Sequence, residues 1–156
     1  TGPSLAVNVK SGGILGGGGV VAGNIVVETN GAFAVDNRIG TATLLRNLIF
    51  DAGAGLQIAL DGGAAAGISF GGAGRKLRNN GTVRCVVHAA GKEIVAGTMK
   101  VIDWSAAVNP DVSGLDAAQF VIANDDEFAG VFEKRAAALV LKYRSCAVRP
   151  GVIIVR

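Results

Sequence analysis

Residues 5–60 read LAVNVKSGGILGGGGVVAGNIVVETNGAFAVDNRIGTATLLRNLIFDAGAGLQIAL, and this stretch decides the fold. Within it, three segments share one pattern, in which an apolar residue is followed by polar or small residues, a glycine, and another apolar residue. The segments begin at Val9, Val27 and Phe50, so the pattern recurs at a nearly regular interval along the chain. Self-similarity at such a spacing indicates a repeat architecture.

Apolar residues that alternate with other residues flank these segments. Leu5, Val7 and Val9 lead into the first, and Leu56 begins a similar alternation after the third. A period of two predicts strands with one buried face, and the glycines between them supply the positive φ of tight corners. A coil of strand, corner and strand cannot bury its apolar face alone, so stacked coils of a β-solenoid are expected. Asn24, Asn30 and Asn47 are candidates for ladders of stacked amides at the corners.

The rest of the chain continues as short strands. Strands are predicted over residues 83–87, 94–95, 99–104, 120–122, 128–132, 138–143 and 152–155, with an Asn-Gly turn at Asn80 and Gly81. Residues 133–142 have a composition that favours helix, but their alternation favours strand. One helical turn is expected at residues 115–119. We therefore predict one all-β domain over residues 1–156, with little or no α-helix. Its clearest coils lie in residues 1–62, and further strands occupy residues 77–156.

Composition and charge exclude several classes of protein. The 156 residues include 24 Gly but only 3 Pro, half are hydrophobic, and the formal net charge is +3. Such a chain is too apolar and too weakly charged for intrinsic disorder, and it lacks the prolines of collagen. No apolar run is long enough for a membrane-spanning helix. Arg75, Lys76 and Arg78 form one small basic cluster, which is less than the dense basic stripe of a nucleic-acid-binding protein.

Two cysteines, Cys85 and Cys146, leave two interpretations open. They form one disulfide if the chain is in an oxidising compartment, or they are two small buried apolar side chains. The first residue is Thr1, and no signal segment precedes it in this sequence. The expectation is an exported chain with its signal removed, or a fragment.

No catalytic, cofactor-binding or metal-binding residue is predicted. Gly17, Gly19 and Ala22 fit a G-x-G-x-x-A spacing, but a strand follows them where a nucleotide site needs a helix. His88 is the single histidine, and its setting suggests a structural role. The acidic residues 125–127 lack the spacing of a known calcium loop, so a solvated turn is expected there. The sequence therefore predicts a protein that is not an enzyme and needs no cofactor.

A family resemblance covers most of the chain. Four groups of residues carry it: Gly12, Gly13, Leu15, Gly17 and Gly19; Gly23 and Asn24; residues 39–41; and Ala52, Gly53 and Leu56. Their order resembles the pattern of bacterial autotransporter-associated β-strand repeats. Residues 96–103 and 128–143 resemble later segments of that family. Residues 34–38 depart from the family, which usually carries a Pro-Gly turn there. The resemblance implies a β-solenoid at the cell surface or outside the cell, without enzymatic activity.

The expected function is that of a structural subunit in an extracellular filament or surface layer. Neither end of the solenoid carries an evident cap in the sequence, and open strand edges attract further strands. The assembly strands are predicted to be Leu5, Val7 and Val9 at one end and Val152, Ile153, Ile154 and Val155 at the other, joining copies head to tail. The alternative is a surface adhesin whose solenoid binds carbohydrate. Neither hypothesis involves nucleic acid or a membrane span.

Overall fold

The computed structural model describes residues 6–36, 40–60, 66–89 and 96–144. These residues form a parallel β-helix in which each coil contributes one strand to each of three sheets. The coils comprise β1 (Ala6–Val9), β2 (Ile14–Gly16) and β3 (Gly19–Val21); β4 (Asn24–Val27), β5 (Ala32–Asp36) and β6 (Ala42–Leu44); β7 (Leu48–Phe50), β8 (Gly55–Leu60) and β9 (Ile68–Phe70); and β10 (Leu77–Asn79), β11 (Val83–Ala89) and β12 (Gly97–Asp103). The all-β solenoid expected from the sequence is confirmed, and the described residues contain no α-helix. The sequence had suggested two strands per coil, whereas the structure has three.

The repeat spacing of the sequence is the register of the coils. Val9 pairs with Val27, and Val27 pairs with Phe50, so the starting points of the three repeat segments are stacked directly on one another. Leu48 pairs with Leu77 one coil later. The interval between paired residues grows at each of these steps, so each coil is longer than the one before it. The corner between the first and second sheets has the same length in successive coils, so the additional residues of the longer coils lie outside this corner.

The interior is a stack of apolar rows that run from coil to coil. Val27 and Phe50 are fully buried in one row, and Phe33 and Leu56 are buried in another that pairs β5 with β8. Buried residues alternate with more exposed ones along the strands of the second and third coils, as in Ile25–Val26–Val27. Burial of these rows against neighbouring coils is what a single coil cannot achieve alone.

Backbone hydrogen bonds run along the corner between the first two sheets. The N–H of Gly12 donates to Asn30 O at 3.0 Å, that of Asn30 to Gly53 O at 3.0 Å, and that of Gly53 to Thr82 O at 2.8 Å. Gly12, Asn30 and Gly53 have φ values of 82°, 63° and 81°, which is the left-handed region that Gly and Asn tolerate best. The corner therefore repeats one backbone geometry in three coils.

An asparagine ladder lies at a different corner, just before the first sheet. The side-chain Oδ1 of Asn24 accepts from Asn47 N at 3.2 Å, and Asn47 Oδ1 accepts from Lys76 N at 2.8 Å. Asn24 and Asn47 therefore form a ladder of hydrogen bonds between side chain and backbone, while stacking of the amides themselves stays a prediction. Asn30 does not belong to this ladder, because it provides the left-handed backbone of the other corner.

After the fourth coil the chain closes the far end of the helix. A 3₁₀ turn (Ala117–Gln119) leads into β13 (Phe120–Ile122), which extends the second sheet, and β14 (Gly130–Lys134) and β15 (Ala138–Tyr143) form a hairpin that ends the third sheet. β15 pairs antiparallel with both β12 and β14. The short helical turn is confirmed. Residues 133–142 belong to two strands and the turn between them, which confirms the strand prediction over the helical one.

The expectation that neither end carries a cap is therefore wrong for the far end. Phe120, Phe128 and Phe132 are buried there to within 5% exposure. The ammonium group of Lys134 donates to Val112 O at 2.7 Å and to Leu115 O at 3.2 Å, which holds the crossing segment against the hairpin. The cap was not predicted from the sequence because its residues favour strands, as the residues of the coils do.

Candidate assembly edge

The first coil has a free side in all three sheets. β1, β2 and β3 pair with β4, β5 and β6 respectively, and each is the last strand of its sheet. Among the described residues, no strand pairs with their outer edge. A row of unpaired backbone N–H and C=O groups is a template for another strand.

The core is incompletely covered at this end. Val7, Leu15 and Val21 point inward and are only partly buried, whereas Ile25, Phe33 and Leu44, their partners one coil later, are exposed by 1% or less. The difference follows from position, because within the described residues the first coil has a neighbouring coil on one side only. Further apolar contact at this end would therefore be favourable.

Two outward side chains extend the apolar surface of this edge. Ile14 on β2 is 61% exposed and Val20 on β3 is 66% exposed. In the second coil, Ala32 takes the place of Ile14 and has a smaller side chain, and Thr43 takes the place of Val20 and has a more polar one. We call the outer edges of β1, β2 and β3, with these side chains, the open edge.

The structure places the predicted assembly residues as follows. Val7 and Val9 lie on β1, facing inward, and Val9 is buried. Leu5 and Val152, Ile153, Ile154 and Val155 lie outside the described residues. Sequence reasoning missed the contribution of β2 and β3 to the open edge. A signal was present in Leu15 and Val21, but each is followed by residues that break the alternation too soon to mark a strand.

Cys85 lies in the core on β11 with no exposed surface. Among the described residues it has no disulfide partner, and its Sγ lies 3.7 Å from Val83 O. Burial raises the pKa of this thiol to about 12, because the charged thiolate would lose its hydration. Cys146 lies outside the described residues, so the Cys85–Cys146 disulfide remains a prediction.

The other side chains weighed from the sequence lie apart from one another. His88 is exposed near the end of β11. Residues 125–127 form an exposed turn, and the neighbouring Asn124 amide is occupied elsewhere, since it accepts from Val87 N at 3.1 Å and donates to Val87 O at 2.8 Å. Gly17 lies before β3 and Gly19 is its first residue, and the strand expected after this glycine run is β4 (Asn24–Val27). Within the described ranges, no group of three or more His, Cys, Asp or Glu side chains is placed to hold a metal ion.

A scan against protein-family models found no match, and searches of curated proteins and of solved structures found none either. The described part of the chain also contains no helix long and apolar enough to cross a membrane.

Proposed function

We propose that this chain is a non-enzymatic structural subunit that assembles head to tail into an extracellular filament or surface layer. The observation that carries the proposal is the asymmetry of the β-helix. At the open edge the inward residues Val7, Leu15 and Val21 are only partly buried, while at the far end Phe120, Phe128 and Phe132 are buried beside the β14–β15 hairpin. A contact between an open end and a closed end repeats without closing on itself, so it generates a filament.

The closed far end argues for a donor strand. Its aromatic residues Phe120, Phe128 and Phe132 are already buried, so these side chains have little further surface to bury when one copy stacks on another. The residues after Arg144 follow β15, which lies in the third sheet at the opposite end from β3. In the proposed joint, Val152–Val155 of one copy add to β1 of the next.

The lengths are compatible with this joint. Val152–Val155 has four residues, as does β1. The seven residues from 145 to 151 reach at most about 25 Å when extended, which is several times the strand spacing of about 4.8 Å. A tail that leaves the far end can therefore reach the first coil of a copy stacked beyond it. Main-chain hydrogen bonds would supply the affinity, as in other cases of strand addition.

The extracellular location and the kinship with autotransporter-associated repeat proteins belong to the same proposal. They rest on the motifs of residues 11–62 and on a solenoid built from Gly and Asn corners.

Electron microscopy of the purified chain tests the proposal. The longest sheet has six strands, so at about 4.8 Å per strand the filament should have an axial repeat of about 30 Å. Ile153→Pro with Ile154→Pro should give monomers, because proline cannot donate to a ladder. Ile153→Val with Ile154→Val is the control and should still assemble. Monomers from the unaltered chain at all concentrations would refute the filament, and filaments from the proline variant would refute the tail as donor.

Carbohydrate binding through aromatic platforms has less support. Trp104 is buried, and its indole N–H donates to Ala136 O at 3.0 Å. Tyr143 packs against Phe128 at a ring distance of 6.0 Å.

A further inference from the structure

Four cationic side chains meet at the corner that precedes the first sheet. Lys76 and Arg78 flank Leu77 on β10, and Arg75 precedes them. Leu48 pairs with Leu77, and Lys76 N donates to the side chain of Asn47, so Arg46 lies one coil below Arg75. We call Arg46, Arg75, Lys76 and Arg78 the basic corner. Adjacent coils are about 4.8 Å apart, so these charges, which are distant along the chain, are neighbours in space.

The charges of the basic corner are not neutralised within the described residues. None of the four side chains forms an ion pair there, although four ion pairs occur elsewhere on the described surface. The Nε atoms of Arg75 and Arg78 are buried without a hydrogen-bond partner.

One acidic residue lies beside this corner. Asp111 pairs with Lys76 through a parallel bridge, and its carboxylate accepts from Ser113 Oγ at 2.6 Å and Ser113 N at 3.2 Å. Those hydrogen bonds lower the pKa of Asp111, and the nearby Lys76 and Arg78 lower it further. Asp111 therefore stays ionised and offsets one of the four positive charges, which leaves an excess of about three.

The outward surface next to the basic corner is aliphatic. Val26 and Ile49 lie in the same outward row as Arg78, in successive coils, and both are half-buried. The large aromatic residue of this sheet, Phe50, faces the core with no exposed surface. Proteins that bind single-stranded nucleic acid commonly present exposed aromatic rings on which the bases stack, and the described part of this face presents none. A sugar chain needs only cations for its acidic groups and a flat apolar surface for its C–H faces.

We propose that the basic corner and the adjoining outer face of the first sheet bind an acidic polysaccharide. Its carboxylate or sulfate groups pair with the guanidinium and ammonium groups, which are spaced along one strand and across two coils. Arginine suits this role because its planar donors bind carboxylate and sulfate in a bidentate manner. The basic corner precedes and includes the start of β10, the last strand of the first sheet, so it does not overlap the open edge at β1.

The test measures the affinity of the chain for polygalacturonate, with dextran as the neutral polymer and oligo-dT as the nucleic acid. Arg75→Gln with Lys76→Gln and Arg78→Gln should weaken binding at least about ten-fold and lower the slope of log affinity against log salt by up to about three. The control, Arg84→Gln with Lys100→Gln and Lys142→Gln, removes the same charge from the other sheets and should change affinity less than about two-fold. Arg78 packs against Gly114, so Arg46→Gln with Lys76→Gln gives a second variant that leaves this contact intact and should also weaken binding.

Three results would overturn the proposal. Equal losses in the variant and its charge-matched control would show only a net-charge effect. Dextran binding as tightly as polygalacturonate would remove the role of the acid groups. Tighter binding of oligo-dT at the same salt concentration would assign the corner to nucleic acid instead.

Discussion

Replacing Gly31 with alanine should detach the first coil from the rest of the β-helix. A Cβ atom at Gly31 would clash with Val9 O and would lie 2.9 Å from Lys10 O, which is closer than real Cβ contacts allow. Val9 O also accepts the hydrogen bond from Glu28 N at 2.9 Å, which links the first coil to the second. The backbone of the first coil must move away, and this hydrogen bond must lengthen.

The expected magnitude comes from these two effects. Overpacking of a tight site costs about 1–3 kcal/mol, and a weakened backbone hydrogen bond costs about 1 kcal/mol more. The free energy that holds the first coil should therefore fall by about 3 kcal/mol. Gly12→Ala is the matched control at the same corner, because no atom lies within 4 Å of its added Cβ and only its φ of 82° opposes the substitution. That strain should cost about 1–2 kcal/mol.

Native-state hydrogen exchange is the appropriate assay, since coils of a solenoid open in sequence from an end. In the Gly31→Ala variant, protection should fall at residues 6–21 and persist at residues 48–60. Equal protection of the first coil in the Gly31→Ala and Gly12→Ala variants would refute the steric argument. Uniform loss of protection along the chain would refute the independence of the coils.

Two further perturbations test the far end and the core. Asn79→Ala should lower the free energy of unfolding by about 2–3 kcal/mol, because the buried amide donates to Gly81 O and Gln119 Oε1 and accepts from Asp116 N. The control, Asn80→Ala on the exposed corner, should lower it by less than about 0.5 kcal/mol. Similar losses for the two variants in denaturant titrations would contradict the role of Asn79. Cys85 should resist alkylation in the folded chain. Its pKa is about 12 in the folded chain against an ordinary 9.0, so the thiol of the unfolded chain ionises at lower pH. The free energy of unfolding should therefore fall as pH rises above about 9, by up to about 2 kcal/mol at pH about 10.5. Cys85→Ala should lack that part of the alkaline loss, and an identical loss in both proteins would refute it; labelling of two thiols in the unfolded, unreduced chain would exclude the Cys85–Cys146 disulfide.

Much of the coil geometry was predictable because the spacing of the repeat segments equals the spacing of paired residues in neighbouring coils. The spacing of Val9, Val27 and Phe50 is the pairing of three successive strands. The third sheet escaped prediction because its first strand, Gly19–Val21, has three residues, too few to display a period of two. Strand direction was also hidden, since alternation does not distinguish the antiparallel β15 from the parallel strands below it.

The candidate sites were predictable in part, for a related reason. The sequence identified Val7 and Val9 as an edge strand, but the half-buried Leu15 and Val21 join that edge only when three sheets share one end. The cluster of Arg75, Lys76 and Arg78 is contiguous and was visible. Arg46 joins the cluster because one full coil brings the chain back to the same corner. The length of that coil differs from both earlier coils, so the repeat spacing did not reveal this neighbour.

Hydrogen exchange of β1 in assembled and unassembled protein tests the proposed joint between copies. In filaments of the unaltered chain, the amides of Ala6–Val9 should be protected by at least about a hundred-fold relative to a variant that lacks residues 151–156, because a donor strand pairs with the open edge. The amides of Ile25–Val27, already paired on both sides, should be protected in both proteins and serve as the internal reference. Filaments in which Ala6–Val9 exchange as fast as in the truncated monomer would show that copies join elsewhere.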